Sequence, residues 1–589
     1  MKKMLSLALV LAMVVSATAF AEVPASFEGA SDEGGFEYEH ADEDGVYYCA
    51  DAGGYYYGKY FYSQDPVTYT SFFNDNDAYP YTDGWEAEDG LFGALTAATN
   101  VTMDKTMVNN ASYSDKVQLA VASGQAPYII PKTYNETPYV NGGGVVAVSD
   151  FIEYMPNFVN FYNDYSMKAD VDTIVQEDGK FYRLPGMKET ALQDYTFLIR
   201  DDIFQAAGYN MAELEKDQTW PEFVEVLKGV REYMLAEGMI GEDDYIWSDR
   251  WCGATSGYGS GGNLINLISK SYGINTTWSN AATNSADLYF DWDADEFKLS
   301  ATSDQYKAYM NVVQDLVSSK ILDPETWTQD DDKADGQFYT GKTALLSTNR
   351  SQFTAQIAAL TSQLGEGNFE TYIMVCPQGI DEATGEPISY QAENSRLECG
   401  VMISSTAQKE LSEEEFIKLM RYVDWLFYSD VALTMTKWGI EGVHYTVEDG
   451  VFSLVPEYYC GGLTIAQTSD DQQDLRINKG FACGNYMYSG TTALLTSNFS
   501  EKLRDYYDRM AEYRTLRPLD PPIALSEDDS EMATMWGTNL FTTQNTWTLR
   551  FAEGLADVNA DWDTFVAEIE AQNAQNVLDM YNDYYQSGK

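Results

Sequence analysis

Leu184-Pro185-Gly186, Phe197-Leu198-Ile199-Arg200-Asp201-Asp202 and Thr219-Trp220-Pro221-Glu222-Phe223 follow one another closely near the middle of the chain. Their order decides the fold. Thr219 and Glu222 form a capping box with Pro221 in the first turn. Phe223, Leu227, Val230 and Met234 then line one helix face, and Gly238 ends it. A second structural unit therefore starts near Asp201. Upstream, Val67–Phe73, Val101–Val108 and Tyr128–Ile130 read as strands. Between them lie a helix over 85–98 and another capped by Ser114, carrying Val117, Ala120 and Val121 and stopped by Gly124. This β-α-β-α-β order implies an α/β lobe with a mainly parallel sheet.

Downstream, Leu288–Leu299 reads as a hairpin around Asp293-Ala294-Asp295, and Tyr306 to Val317 as an amphipathic helix. Thr343–Ser347 is a short strand. Ser412 and Glu415 form a second capping box ahead of Phe416, Leu419, Met420, Val423 and Leu426, and Trp562 to Tyr581 carries a C-terminal helical pattern. Residues 22–64 are acidic, Gly-rich and Tyr-rich without a sustained period, which reads as a leader or tether. Residues 1–21 read as a secretory signal: Lys2 and Lys3, an apolar run from Leu5 to Val15, and Ala19-Phe20-Ala21 as the cleavage site. Export and a position outside the cytoplasm, at the cell envelope, are the expectation. No lipobox Cys stands at the cleavage site.

The 589 residues suffice for more than one domain, and their net charge of −56 disfavours nucleic acid and anionic membranes as partners. The 44 Tyr and 12 Trp supply both core and stacking surfaces. Six dispersed Cys show no zinc spacing; Cys376 with Cys399 and Cys460 with Cys483 are conceivable staples, with free buried thiols as the competing reading. With two His, a His-based triad or a His-rich metal site is disfavoured.

Seven segments in order resemble the family 1 extracellular solute-binding proteins of ABC importers, in their large, lipoprotein-type, sugar-binding branch. They are Ala120–Pro127, Asp178–Pro185, Ile199–Asp202 with Gly208, Thr219–Phe223, Phe338–Ala344, Gly439–Tyr445 and Asp561–Val566. The resemblance spans roughly 65–585. It departs at Tyr128, where the family usually has Asp, and at the missing lipobox Cys. It implies a two-lobed, periplasmic-binding-protein-like (type II) α/β fold with a hinge and an interlobe cleft. The expected division is 65–195 plus 340–440 for the first lobe and 200–335 plus 441–589 for the second, with crossings near Gln193–Ile199 and near 335–345.

Two motif matches point elsewhere. Gly336–Thr343 spells a P-loop, yet an acidic segment precedes it and a short strand follows, the wrong context for cradling phosphate. Gly257-Tyr258-Gly259-Ser260-Gly261-Gly262 spells G-x-G-x-x-G without a preceding strand; it reads as a cleft loop or as backbone donors aimed at a ligand oxygen. Asp291, Asp293 and Asp295, and Asp557 through Glu568, approach EF-hand spacing but lack the required Gly. A hairpin turn and helix capping by Asp561 compete with structural calcium there, and no cofactor is expected.

Sugar recognition needs aromatic faces and planar polar groups. Strand-end loops of the first lobe supply Asn74, Asp75, Asp77, Tyr134, Asn349 and Arg350 as candidates. The loop beside the second lobe supplies Trp251, Tyr258 and Asn263; Glu393, Asn394, Trp438 and Glu441 complete the set. Arg200 reads as structural, paired with a carboxylate. The leading reading is a monomeric, non-enzymatic binding protein that captures a carbohydrate, an oligosaccharide, for ABC permease subunits. A peptide ligand, a secreted glycoside hydrolase with paired carboxylates, and a surface interaction protein without a small ligand are the alternatives.

Overall fold

A computed structural model describes residues 23–27, 47–48, 56–57, 63, 65–252, 262–274, 288–393 and 395–588. Two sheets organise it. The strands are β1 (Val67–Asp75), β2 (Val101–Asn109), β3 (Ile129–Thr133), β4 (Leu184–Met187), β5 (Thr196–Arg200), β6 (Leu345–Thr348), β7 (Thr371–Met374) and β8 (Leu397–Ile403).

The first sheet has the order β2-β1-β3-β8-β4. β1 pairs parallel with β2 in unbroken register from Val67↔Val101 to Asp75↔Asn109, and parallel with β3 on its other side. Helices Leu91–Thr99 and Tyr113–Ala122 make the connections. Ser114 lies inside the second helix rather than at its cap: Asn109 opens the preceding turn by accepting from the Ala111 amide. β8 runs antiparallel between β3 and β4 with a bulge at Gly400. A Cβ there would stand 2.1 Å from the Leu184 carbonyl oxygen, so the irregular pairing needs glycine.

The second sheet, β6-β5-β7, is antiparallel. Its residues alternate between two cores: Phe197, Ile199, Leu345 and Met374 face one, Leu198, Leu346 and Ile373 the other. Both faces are covered, which is why these strands are continuous apolar runs. Both capping boxes form, at Thr219/Glu222 and Ser412/Glu415. Leu288–Asp291 and Glu296–Leu299 pair as the expected hairpin. The C-terminal pattern is two helices, Trp562–Glu570 and Ala574–Gly588, broken at Asn573.

The strand pairing departs from the expected division. β6 and β7 belong with β5, so the segment after 340 stays in the second lobe up to the approach to β8. Tyr445, Cys460, Leu475, Phe481 and Tyr486 join the first core, whereas Leu540, Phe551, Phe565 and Val577 join the second. The chain crosses between lobes before β5, before β8 and again between Tyr488 and the helix Glu501–Tyr513. No crossing occurs near 335–345. There the helix Asp331–Tyr339 turns through Gly341 into β6. That is helix-to-strand, the reverse of a P-loop.

The crossing segments are stitched together. The Lys188 amide donates to the Arg396 carbonyl (2.9 Å), Gly490 to Met187 (3.0 Å) and Glu189 to Gly490 (3.2 Å). The leader is anchored at described points. Val23 donates to Asp172 Oδ1 (2.8 Å), Phe27 and Asn163 bond reciprocally at 3.0 Å, and Ser63 donates to the Thr99 carbonyl (3.1 Å). Val23 and Ser63 are buried, so these points contradict a wholly loose tether. Cys252, Cys376, Cys399, Cys460 and Cys483 are free buried thiols, not staples; Cys49 lies outside the described residues.

Candidate functional site

The C-terminal ends of the strands in the two sheets are built differently. β1 ends at Asn74 and Asp75, β3 at Thr133. Asn74 is buried; its amide donates to Asn485 Oδ1 (3.0 Å) and its carbonyl accepts from Asn485 Nδ2 (2.9 Å). Its own Oδ1 has no hydrogen-bond partner among the described residues. Asp75 is spent on its own loop, accepting from the Tyr81 amide (2.9 Å), and Asp77 ties the loop to the end of β2, accepting from Asn109 Nδ2 (2.8 Å).

Tyr134 follows β3 with 64% of its surface exposed. Its hydroxyl is withdrawn from water beside Cys399 and Glu398, which holds the phenol above its ordinary pKa. Lys132, left-handed at φ 53°, lies close by. A Cβ on Gly484 would meet the Tyr79 hydroxyl at 2.8 Å and Lys132 Nζ at 3.0 Å, so the tips of these two side chains close over that corner.

On the second-lobe side, β6 is followed by Asn349 and Arg350. Asn349 Oδ1 accepts from the amides of Ser351 and Gln352 (both 3.0 Å), committing it to the next helix start. Arg350 Nε pairs with Asp194 Oδ2 at 3.2 Å. Tyr507 Oη donates to Asp194 Oδ1, and the Asp194 amide donates to Glu393 Oε2 at 2.7 Å. Burial first, then the Asp194 charge, pushes the Glu393 carboxyl up to about 7. Lys188 bonds Glu398 at 3.0 Å, and Glu398 acts electrostatically on both Tyr134 and Arg350, linking the two faces.

Trp251 is packed rather than open. It is left-handed at φ 62°, its amide donates to Asp331 Oδ1 (2.7 Å), and its ring meets Tyr195 edge-on at 5.6 Å. Trp438 is a core residue: it is buried, donates to Ser497 Oγ (2.9 Å) and stacks on Phe452 at 5.2 Å. Glu441 is exposed beyond that helix. Tyr258 and Asn394 lie outside the described residues, as does the Asn263 side chain; the Asn263 backbone is the second residue of the helix Gly262–Ser271. Arg200 grips Asp202 with two bonds of 2.8 and 2.7 Å, as its structural reading anticipates.

A cavity of about 200 Å³ opens where the lobes meet, between Arg350 and Ser351, the helix Asp430–Trp438 and the third crossing segment. Of the expected set, the structure gathers Arg350 and Glu393 at this junction, with Tyr134 linked to it through Glu398. Sequence reasoning missed Asp194, Tyr507 and Lys437. Asp194 could have been found, since it lies in the anticipated Gln193–Ile199 crossing; Tyr507 and Lys437 sit on ordinary helix faces and carry no such signal.

The calcium candidates serve local turns. Asp291 Oδ1 accepts from the amides of Asp293 (3.0 Å) and Ala294 (2.9 Å), and Asp561 Oδ2 accepts from Asp557 (2.9 Å) instead of capping its helix. Among the described residues no group of three or more His, Cys, Asp or Glu is arranged to hold a metal ion.

Residues 90–421, more than half the chain, match the family described as bacterial extracellular solute-binding protein. The chain belongs to that family. No curated protein sequence matches it. Among solved structures, it is similar to an HMO-binding, ABC-transporter-associated solute-binding protein from Bifidobacterium longum infantis (TM-score 0.64, 14% identity, 89% of this chain and 99% of that one). An alginate-binding protein without calcium ion gives 0.61 at 14% identity, covering 89% and 99%. An S. pneumoniae ABC-transporter substrate-binding protein in complex with fructo-nystose gives 0.58 at 16%, covering 88% and 99%. At these identities the likeness establishes the two-lobed solute-binding fold. As a family member the chain is an extracellular solute-binding protein, and no described helix is long and apolar enough to cross a membrane.

Proposed function

We propose that this solute-binding protein captures an oligosaccharide in the interlobe cleft and delivers it, as a monomer, to the membrane subunits of an ABC importer, without turning it over. The observation that supports this reading is that an exposed aromatic, Tyr134, and the Arg350–Asp194–Tyr507 network are linked electrostatically through Glu398. A ring face for sugar C–H groups and planar polar groups for hydroxyls are what carbohydrate capture requires. Crossing segments are where hinge closure is absorbed. The carbohydrate ligands named for similar folds support the same reading. The protein acts outside the cytoplasm, held near the envelope by its transporter.

The test is a thermal-shift and calorimetric screen of the chain from Glu22 onward against mono- and oligosaccharides, with peptides and calcium alongside. A saturating sugar at a hundredfold excess over Kd stabilises the fold by about 2.7 kcal/mol, an easily read rise in melting temperature. A shift with peptides alone would keep the fold and replace the substrate. Product formed in the same wells would make the protein a hydrolase and end the import reading.

A further inference from the structure

The interlobe cavity has an unusual charge for this chain. The sequence carries 92 Asp and Glu against 36 Lys and Arg. Among the described residues, however, the cavity is lined by two cations, Arg350 and Lys437, and by no carboxylate. Leu463, Met487, Leu494 and Phe499 supply apolar wall.

Lys437 is 3% exposed, where lysine is rarely found without an acidic partner. It comes from the first-lobe helix Asp430–Trp438. Its Nζ donates to the carbonyls of Leu494 (2.6 Å) and Leu495 (2.9 Å), which leaves a third donor, and it has no ion pair among the described residues. Arg350 comes from the second lobe. It makes the single ion pair to Asp194 and no hydrogen bond to a described residue, so guanidinium donors remain. Burial, then the Arg350 charge, pushes the Lys437 ammonium well below its usual pKa: the empty cavity lacks negative charge. Asp194 is itself shared between Arg350 and the Tyr507 hydroxyl.

We propose that this cavity receives a carboxylate group of the captured ligand, clamped between Lys437 of the first lobe and Arg350 of the second, with the ligand's apolar face against Met487 and Phe499. The inference rests on the reading of the cleft as a capture site. It narrows the ligand to a carboxylate-bearing one, an acidic oligosaccharide if the carbohydrate reading is right. Charge-assisted hydrogen bonds from two lobes to one anion would also tie binding to closure. Neutral analogues would leave the buried lysine without a counter-charge.

The experiment is calorimetry on the chain from Glu22 onward with uronic-acid oligosaccharides, each paired with its methyl ester, and with tripeptides, each paired with its C-terminal amide. The expected result is at least about tenfold tighter binding of the free acid than of its neutral partner, about 1.4 kcal/mol. That preference should collapse in Lys437→Met and in Arg350→Gln. Arg350→Gln is a half-exposed site that keeps the test decisive if Lys437→Met disturbs folding, and melting of each empty variant reports its fold. A panel in which no free acid binds more tightly than its neutral partner overturns the proposal, as does a preference unchanged in both variants. Neutral sugars bound as tightly as acidic ones would sink the carboxylate and leave the carbohydrate reading standing. Amidation-sensitive peptide binding with no sugar bound would do the opposite.

Discussion

The two faces of the cleft hold their polar groups by different means. The first-lobe face carries a reciprocal amide pair, Asn74–Asn485, and the exposed Tyr134 ring. The second-lobe face is charged: Asp194 is engaged by Arg350, by Tyr507 and, through its own amide, by Glu393. Each face has a non-glycine residue in the left-handed region beside it, Lys132 at φ 53° and Trp251 at φ 62°. Such conformations cost about 1 kcal/mol or more and persist only where surrounding contacts enforce them. The difference teaches a division of labour. On the reading proposed above, one face would offer a fixed surface to the ligand. The other would couple ligand contact to the crossing segments, because Asp194 and Glu393 both lie on them.

The sharpest way to break this comparison is Trp438, which belongs to neither face. Trp438→Ala should lower unfolding free energy by about 3–5 kcal/mol, measured by denaturant titration. Intact stability with weakened ligand binding would put it back in the site. Next is Asp194→Ala, which strips Arg350 of its counter-ion and Tyr507 of its acceptor. The cost should be about 2 kcal/mol in stability, discounted from the fully buried case because Arg350 and Asp194 are partly exposed. Unchanged melting would mean the charged network is ornamental. Tyr134→Ala should weaken ligand binding by about 1 kcal/mol while leaving the empty protein's melting temperature where it was. A loss of stability instead would make Tyr134 a packing residue.

The last effect is graded. Burial raises Asp249, which accepts from the Ser347 amide (2.8 Å) and hydroxyl (2.7 Å) on β6, to about 6, and burial with the Asp194 charge raises Glu393 to about 7. Both therefore bind protons more tightly folded than unfolded. Their stabilising contribution is full below the unfolded carboxylate range and is lost as pH climbs through about 6 to 7. The melting temperature of the empty protein should rise as pH is lowered from about 8 to about 5. A fall across that window would count against burial of these two carboxyls as the dominant influence on stability.

Local signals in the sequence were reliable where the cause is local. The Thr219/Glu222 and Ser412/Glu415 boxes satisfy amides within one turn, and the Leu288–Leu299 hairpin closes around its own aspartates. What failed was pairing at a distance. Thr343–Ser347 reads as a strand, but nothing in its composition says that Leu345 faces Ile199 and not the first sheet. The same gap misplaced the 441–488 segment, whose aromatics fill the first core. Trp438 looked like a site residue because it flanks a family motif, although that motif builds core. Asp75, Asp77 and Asn349 are polar strand-end residues, as ligand contacts are, but their oxygens serve nearby amides first. Arg350 and Glu393 entered the candidate set by position, while the partners that give them meaning, Asp194 and Tyr507, arrive from other segments.

The place of β8 has a consequence for how the molecule is assembled. It sits between β3 and β4, although β4 precedes it by the entire run of chain that builds the second sheet. Until Leu397–Ile403 has been synthesised, the first sheet has a gap at its interior and β4 has no neighbour in it. Closing that gap requires a contact of very long sequence separation, the kind that slows folding. The first lobe therefore cannot be finished until the segment that builds the second sheet, β5 to β7, has been made.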